Sequence, residues 1–389
     1  MNSKKKRTIK VFVDGEVLVI PHFSGIGHYT AALLSAVDKL LSTPEYSHFR
    51  FEIGAPKNLK HNLGRFNFEN FIVRNMPFSP HTVNGLKKRE ILPPIDLLYG
   101  KRVYLFPNYS TWPTLFSQVI PIIYDLSFIQ LPEYVEPRNQ EFLVDQVNKS
   151  VQRSSKIITI SRYIQGEIQN HFNLDKNKID IVFPATDIEN YYRRSEHDIV
   201  HTKAKFGVYG KYILFVGNIE PRKNLMTLLC AYEKLPKKIQ DEYALLLVGA
   251  RGWLDSDIHK KIIEMRISGL RVIQPIAYVE DNDIPALYSG ASVFIYISKY
   301  EGFGIPPLES MACGTPVISS DNTSLPEAVG SAAIKVKATS QTEVNDAILK
   351  IISDPILVNK LVEQGYEQVQ KYNWIKSAKQ LLKSIEDVA

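Results

Sequence analysis

The feature that most constrains the fold is a repeated alternation of short apolar runs with segments of helical character. Five runs of strand length stand in the first half of the chain and five more in the second half. In order they are IKVFVDG, FEIGA, VYLFP, VIPIIYD and KIITIS, then KYILFVG, ALLLVG, RVIQPI, SVFIYIS and TPVISS. Strands that alternate with helices indicate βαβ units, whose parallel sheets are covered on both faces. We therefore expect an α/β protein with two doubly wound domains.

The chain length and one polar segment set the expected domain boundaries. A chain of 389 residues is about twice the usual 100 to 200 residues of one domain. The polar segment FPATDIENYYRRSEHDIVHTKAKFGV separates the two series of strands. We expect a first domain over residues 1–195 and a second over residues 196–372. Residues 373–389 have the spacing of an amphipathic helix, which we expect to pack back on the first domain.

The composition favours a globular protein of the cytoplasm. Apolar residues make up 44% of the chain and charged residues 23%, and no apolar run approaches the roughly 18 residues that cross a bilayer. The N-terminus passes from a basic run into a strand without the apolar stretch of a signal peptide. The two cysteines, Cys230 and Cys313, provide neither a disulfide framework nor the spacing of metal ligands.

The excess of positive charge lies in the first half of the chain. Residues 1–195 hold 25 lysines and arginines against 18 acids, and residues 196–389 hold 22 against 23. Such a bias suits phosphates or an anionic membrane surface, so we expect either phosphate binding or contact with the inner face of the plasma membrane. The candidate contacts are Lys4, Lys5, Lys6, Arg7, Lys87, Lys88 and Arg89. A solvated basic face is the alternative, and no pattern of nucleic-acid binding accompanies the charges.

The stretch SKYEGFGIPPLESMACGTPVISS, residues 298–320, combines two carboxylates with a glycine turn directly after a strand. Ligands of open α/β sheets bind beyond the carboxyl ends of the strands, where helix N-termini meet the loops. Gly302 and Gly304, on either side of Phe303, allow a close approach of the backbone. We expect Glu301 in the loop and Glu309 in the first turn of the next helix, where carboxylates can accept hydrogen bonds from sugar and ribose hydroxyls.

Polar residues follow other strands as well. Arg222 and Lys223 come after the strand that ends at Gly217, where a basic pair suits a diphosphate; a solvated loop is the alternative. Tyr124 and Asp125 end another strand and either cap a turn or face a ligand. Gly25 and Gly27 follow the first strand and precede a helical pattern. A lone Gly-x-Gly is a weak signal, but this placement predicts a loop that admits a ligand.

Two acid-x-acid pairs have the spacing of metal ligands, but each opens a segment of helical character. They are Asp255 with Asp257 and Asp281 with Asp283. We expect helix N-capping at both places, and no metal site.

These residues bring the chain close to a known family. The stretches LFVGNIEPRKNLMTLL, LLLVGARGW, SGIGHYT and DIPALYSGASVFIYISKYEGFGIPPLESMACGTPVISSDNTSLPEAVGSAA resemble the retaining glycosyltransferases of family 4, which have the GT-B fold and the Glu-x7-Glu motif. The resemblance spans nearly the whole chain and is strongest over residues 211–334. Together with YDLSF, the early GIGHY resembles bacterial mannosyl- and rhamnosyltransferases that build surface polysaccharides such as O-antigen.

The resemblance implies two Rossmann-like domains facing across a cleft, with the acceptor on the first and the nucleotide sugar on the second. It implies the retaining transfer of a hexose, mannose or a 6-deoxyhexose, to a lipid-linked or surface polysaccharide. The donor it implies is a nucleotide sugar, GDP-linked above all, and the family needs no metal. Two GT-B alternatives, an epimerase and a phosphorylase, stay open, as does a non-catalytic sugar-nucleotide-binding protein of a glycan assembly complex.

The resemblance also assigns roles to individual residues. Arg222, Lys223, Gly27 and Gly217 correspond to residues at the donor diphosphate, and Glu301 to the carboxylate at the donor sugar. Gly302, Phe303 and Gly304 correspond to the turn under sugar and phosphate, and Glu309 to the ribose carboxylate. Tyr124 and Asp125 stand where many relatives have His-Asp, so the resemblance makes both, with Glu301, the expected catalytic residues. A tyrosine hydroxyl can donate a hydrogen bond to the sugar, but it cannot carry a proton near neutral pH as imidazole can.

Overall fold

The computed structural model describes residues 7–20, 25–252 and 254–389. Lys4, Lys5 and Lys6 of the expected membrane contact lie outside the described residues. The strands are β1 Ile9–Asp14, β2 Phe49–Pro56, β3 Phe71–Met76, β4 Val103–Phe106, β5 Gln118–Pro121, β6 Ile157–Thr159, β7 Ile179–Ile181, β8 Lys211–Val216, β9 Tyr243–Val248, β10 Val272–Ile273, β11 Val293–Tyr296, β12 Val317–Ser320 and β13 Ala333–Val336.

The helices fill the connections between these strands. They are α1 Glu16–Val19, α2 Gly25–Leu41, α3 Pro80–Lys88, α4 Asp96–Tyr99, α5 Ser127–Gln130, α6 Pro137–Arg153, α7 Arg162–Phe172, α8 Glu196–Lys205, α9 Leu225–Glu233, α10 Lys237–Glu242, α11 Ser256–Ile267, α12 Ile284–Gly290, α13 Ile305–Ala312, α14 Leu325–Val329, α15 Gln341–Ser353, α16 Pro355–Gln370 and α17 Trp374–Glu386. Among the described residues, none of these helices is long and apolar enough to cross a membrane.

The first sheet is parallel and has the order β3-β2-β1-β4-β5. Val11 of β1 pairs with Phe51 of β2 on one side and with Val103 of β4 on the other. The chain runs outward in one direction from β1 and in the other direction from β4. The order of the strands therefore reverses between β1 and β4, which is the position where open α/β sheets bind ligands.

The second sheet is parallel as well, with the order β10-β9-β8-β11-β12-β13. Its central strands β8 and β11 are almost wholly apolar and buried, as expected for strands covered on both faces. The order reverses between β8 and β11, so the loops that follow these two strands meet at the carboxyl edge of the sheet. The predicted α/β class with two doubly wound domains is confirmed.

The chain divides into two compact units. The first contains the described residues up to Pro132, Glu136–Pro184 and Asn373–Ala389, and the second contains Glu133–Val135 and Ala185–Tyr372. The predicted boundary at residue 195 is eleven residues late, because the segment before α8 is bound to α12. The backbone N–H of Arg194 donates to Ser289 Oγ at 3.0 Å.

The C-terminal helix α17 belongs to the first unit. Ser377 Oγ donates to the carbonyl of Phe183 at 2.6 Å, and Ser384 Oγ donates to Asp180 Oδ2 at 2.7 Å. The ring of Trp374 meets Tyr29 of α2 edge to face, with 5.5 Å between the centroids. The apolar side of this helix therefore completes the core around α2.

Candidate active site

The loop after β8 carries the basic pair on a short 3₁₀ turn, Pro221–Lys223. The turn ends at Asn224, whose φ of 61° lies in the left-handed region that asparagine tolerates better than most residues. The Asn224 side-chain amide donates to the carbonyls of Ile297 and Ala338, at 3.0 and 2.6 Å. In addition, Lys299 N–H donates to the carbonyl of Arg222 at 2.9 Å. These bonds fix the loop after β8 against the loop after β11.

Glu301 lies in the loop after β11, as expected, and only 7% of its surface is exposed. Lys223 Nζ donates to Glu301 Oε1 at 2.6 Å, and Arg222 donates to Oε2 at 3.3 Å. Burial by itself would raise the pKa of Glu301, but the charges of Lys223 and Arg222 lower it to about 2. Glu301 is therefore an ionised carboxylate at any physiological pH.

Arg222 and Lys223 differ in their accessibility. The Arg222 side chain is 23% exposed and also donates to Glu220 Oε1 at 2.7 Å and to the carbonyl of Tyr300 at 2.8 Å. The Lys223 side chain is 10% exposed and donates to Tyr296 Oη at 2.8 Å. Burial lowers the pKa of Lys223, whereas Glu301 raises it. Arg222 is thus the cation that an anionic ligand reaches first, and Lys223 is mainly the counter-ion of Glu301.

The turn from Gly302 to Gly304 is built for close packing. Gly304 has a φ of 110°, and a Cβ atom there would lie 2.5 Å from Leu325 Cδ2. Ser324 Oγ donates to the carbonyls of Glu301 and Phe303, at 2.7 and 3.1 Å. The Phe303 ring is buried against Tyr372, with 5.0 Å between the centroids. Phe303 therefore has only its backbone to offer a ligand, and its side chain anchors the turn.

Glu309 is the fifth residue of α13, in the second turn and not in the predicted first turn, because the helix already begins at Ile305. Tyr288 Oη donates to Glu309 Oε2 at 3.1 Å. Burial raises the pKa of Glu309 to about 7, and hydrogen bonds from the hydroxyls of Tyr288 and Tyr191 offset this only in part. The two carboxylates of the motif thus have opposite electrostatic environments.

This arrangement suits a phosphorylated sugar ligand. Two cations and an ionised carboxylate lie in one network where the strand order of the second sheet reverses, and a hydroxyl-accepting carboxylate follows on α13. The sequence alone does not identify Glu220, Tyr288 or Tyr191. For Glu220 the sequence offers one indication, its position two residues before Arg222. The two tyrosines come from α12 and from the segment before α8, and no sequence pattern links them to Glu309.

Gly217 begins the loop after β8 with a φ of 149° and donates its N–H to the carbonyl of Val248 at 2.9 Å. A Cβ on Gly249 would lie 1.9 Å from the Gly217 oxygen, so the loops after β8 and β9 are in close backbone contact. The positive φ of Gly217 therefore serves this close contact of the two loops, and its N–H is already used in the bond to Val248.

Tyr124 and Asp125 lie at the carboxyl end of the first sheet. Tyr124 is buried, its hydroxyl is 3.3 Å from Thr30 Oγ1, and its ring meets Tyr29 edge to face. Asp125 Oδ1 accepts from Ser127 N–H at 3.1 Å and from Tyr109 Oη at 3.1 Å. Of the two expected alternatives, Asp125 therefore caps the following turn, and a catalytic role for either residue stays a prediction.

Gly27 is buried in the first turn of α2, which already begins at Gly25. The expectation that both glycines form a loop is therefore wrong, because the helical pattern includes them. Their relation to a donor diphosphate stays a prediction.

Lys87 does not belong to an exposed basic cluster. It is buried, and its ammonium donates to Ser110 Oγ. Asp14 at the end of β1 and Glu16 interact with its charge, and burial lowers the pKa of Lys87 while raising that of Glu16 to about 7. The expectation of a membrane contact at Lys87 is wrong, because Val83 and Lys87 share the inward side of α3.

The two acid-x-acid pairs make ion pairs more than helix caps. Asp255 accepts from Arg251 Nε at 2.9 Å, and Asp283 accepts from Lys205 Nζ at 2.6 Å. Both occupy N-cap positions, yet neither side chain bonds to the amides of its helix. The described ranges contain no group of three or more His, Cys, Asp or Glu side chains that could hold a metal ion.

Comparison with known sequences identifies related enzymes. The family model described as glycosyl transferases group 1 matches residues 199–368. The O-antigen chain mannosyltransferase B of Escherichia coli is 32% identical over 71% of this chain and 72% of its own length. The serotype-specific mannosyltransferase WbdA of Escherichia coli is 28% identical over 62% of this chain, and the match covers 30% of the longer WbdA.

Comparison with solved structures concerns the fold. The sucrose-phosphate synthase of Thermosynechococcus elongatus superposes with a TM-score of 0.73 over 98% of this chain and 99% of its own, at 19% identity. This likeness confirms the GT-B architecture that the sequence predicts, with a Rossmann-like domain in each unit.

Proposed function

Because this chain belongs to the glycosyl transferases group 1 family, we propose that it transfers mannose from GDP-mannose to a lipid-linked polysaccharide with retention of configuration. The chain is a hexosyltransferase that transfers a hexose from a nucleotide sugar to a glycan acceptor. The mannosyl specificity is supported by the relatives, which include O-antigen chain mannosyltransferase B. A 6-deoxyhexose is the second donor sugar that the sequence resemblance favours.

The observation that carries this proposal is the network of Arg222, Lys223 and Glu301. When the bond between the sugar C1 and the diphosphate oxygen breaks, negative charge collects on the diphosphate and positive charge on the sugar ring. Arg222 faces the leaving diphosphate as a guanidinium, and Glu301 faces the sugar as a carboxylate. Because the guanidinium and the carboxylate are fixed in one hydrogen-bonded network, each is held in place for the opposite charge that develops on the ligand.

Retention follows if the acceptor attacks from the face that the diphosphate leaves. The acceptor oxygen then forms its bond to C1 on that face, and its proton passes to the departing phosphate oxygen. GDP is released with that proton, so atoms and charges balance without a redox step. Since the guanidinium and ammonium groups already supply positive charge at the diphosphate, we propose that no metal is required.

We place the acceptor on the first unit. The support is the polar group of Asp14, Glu16 and Lys87 where the strand order of the first sheet reverses, since ligands of such sheets bind at that position. Glu16 is half-buried and Asp14 is buried, and carboxylates accept hydrogen bonds from saccharide hydroxyls. A Glu16→Gln variant should raise the KM for acceptor and leave the affinity for GDP unchanged, and a parallel change in both would contradict this placement.

For the remaining roles, the ribose of the donor is proposed to bind Glu309, and the diphosphate to approach the backbone of Gly217, Gly27, Gly302 and Gly304. Tyr124 and Asp125 are proposed as catalytic residues, Tyr124 through a hydrogen bond that its hydroxyl donates to the sugar. A lipid-linked acceptor also requires that the enzyme work at the inner face of the plasma membrane, which the basic excess of the first half supports.

A donor panel tests the proposal. GDP-mannose, dTDP-rhamnose, UDP-glucose and GDP alone are added to the purified protein, and binding is measured by the rise in melting temperature. We expect the largest rise with GDP-linked ligands and transfer from GDP-mannose in the presence of EDTA. Selective stabilisation by UDP-glucose, or activity that EDTA abolishes and Mg²⁺ restores, would contradict the assigned donor or the independence from metal.

A further inference from the structure

Four large apolar side chains are exposed together on the first unit. Leu97 is 60% exposed, Leu98 46%, Leu115 64% and Phe116 51%. A single exposed leucine is ordinary on a soluble protein, but a contiguous group of such side chains marks an interaction surface. We name these four side chains the apolar edge.

The apolar edge is held together by one carboxylate. Asp96, buried at the start of α4, accepts hydrogen bonds from Leu115 N–H at 3.0 Å and from Phe116 N–H at 2.9 Å. The N–H of Ile95 also donates to the carbonyl of Pro113 at 2.9 Å. The two segments that carry the edge are therefore clamped to each other, so the four side chains form a fixed surface and not two loose loops.

The core beneath this surface is complete without the four side chains. Leu92, Ile95 and Trp112 from the same two segments belong to a buried cluster with Phe12 and Tyr104. The sequence thus places apolar residues on the inward side and keeps further apolar residues outward. The core requires only the buried apolar residues, so the exposed residues of the apolar edge are available for an interaction.

The charges nearest the apolar edge are mostly positive. Residues 96–117 contain Lys101, Arg102 and one acid, Asp96. Asp96 is bound to the backbone amides described above, and Lys101 is exposed.

Strand β3 brings further charges to α4, because Tyr99 Oη donates to the carbonyl of Asn75 at 2.7 Å. Arg74 of β3 and Arg102 both bind Glu52, at 2.9 and 2.6 Å, so this group of three keeps a net positive charge. A surface of exposed leucine and phenylalanine with a positive surround complements an anionic lipid headgroup layer. It does not suit a second copy of this chain, whose positive surround would repel it.

We propose that the apolar edge inserts into the headgroup region of an anionic membrane and that Lys101, exposed three residues after Leu98, contacts the lipid phosphates. The inference rests on the proposed function in one respect, the lipid-linked acceptor. The edge lies where β4 and β5 begin, whereas ligands of the sheet bind where the strands end. Docking by this surface therefore leaves the acceptor side of the first unit open to a glycan chain.

Sedimentation with lipid vesicles tests the proposal on the full chain. The double variant Leu97→Ser/Phe116→Ser is compared with the parent on vesicles of phosphatidylglycerol with phosphatidylethanolamine, and on vesicles of phosphatidylcholine alone. We expect the parent to bind the anionic vesicles only, and the double variant to bind them at least about tenfold more weakly. Ile276→Ser, which removes a fully exposed isoleucine from the second unit, should bind as the parent does.

The outcomes separate this inference from the proposed function. Transfer of mannose to a water-soluble acceptor should be equal in parent and double variant, since the edge contacts no ligand. Equal vesicle binding by parent and double variant, or no binding by the parent, would overturn the inference and leave the transfer assay unaffected. A parent dimer that the double variant converts to a monomer would also overturn it, in favour of a second copy on this surface.

Discussion

Replacement of Glu301 by glutamine should destabilise the second unit by an amount that follows from its surroundings. The carboxylate is 7% exposed and its pKa is lowered from 4.5 to about 2 by Lys223 and Arg222. A difference of this size corresponds to about 3 kcal/mol of folding stability at pH 7. Glutamine keeps the shape of the side chain, so this loss is electrostatic and does not come from a cavity.

The protonation of Lys223 limits any further loss of folding stability in Glu301→Gln. A stranded buried ammonium would add several kcal/mol, but burial already lowers the pKa of this lysine. Without Glu301 the lysine sheds its proton nearer to neutral pH and remains bonded to Tyr296. The expected loss of folding stability is therefore about 3 kcal/mol, which lowers the melting temperature of a unit of this size by about 6 to 12 °C.

The assay is thermal unfolding at a series of pH values. Because the folded pKa is depressed, the stabilisation is present above pH 4.5 and is lost as the pH falls toward 2. The difference in melting temperature between parent and Glu301→Gln should therefore be largest near pH 7 and should become smaller below about pH 4.5. A matched control is Glu363→Gln, which changes an exposed acid on α16 and should leave the melting temperature unchanged. Equal melting temperatures of parent and Glu301→Gln at pH 7 would refute the reasoning.

Three further variants test neighbouring parts of the site. Arg222→Ala should weaken GDP and GDP-mannose binding together by about 10- to 100-fold, because a charge-assisted contact is lost; calorimetry showing a loss for one ligand alone would contradict this. Glu309→Gln should lose less folding stability than the parent when the pH rises from 6 to 8. Because the pKa of Glu309 is raised to about 7, its ionisation in this range costs the folded parent on the order of 1 kcal/mol, and glutamine removes that cost; urea titrations at both pH values measure it. Gly304→Ala should cost about 1 to 3 kcal/mol in the same titration, whereas Gly64→Ala, with no atom within 4 Å of the added Cβ, is the control.

The sequence predicts the buried strands well and the exposed ones poorly. Parallel strands that are covered on both faces have continuous apolar sequences, so β8, β9 and β11 can be predicted from their apolar runs. The edge strand β3 is missed because its residues Ile72–Asn75 are exposed and its apolar run is broken by Arg74. RVIQPI contributes only the two-residue strand β10, Val272–Ile273.

For the site, the sequence predicts which residues meet but not how they are paired. Arg222, Lys223 and Glu301 follow two strands of one sheet, so their proximity is a consequence of topology. That Lys223 is buried and Arg222 is accessible depends on the packing of the loop, which no local pattern encodes. The burial of Lys87 did have a signal, since it stands four residues after Val83 on an amphipathic helix.

The most direct test of the central claim is the NMR spectrum of the product formed from GDP-[13C]mannose and an oligosaccharide acceptor. With the parent protein we predict an α-linked mannose, which retains the configuration of the donor. With Glu301→Gln we predict no product, while GDP still binds with the parent's affinity. A β-linked product, or undiminished turnover by Glu301→Gln, would contradict the account.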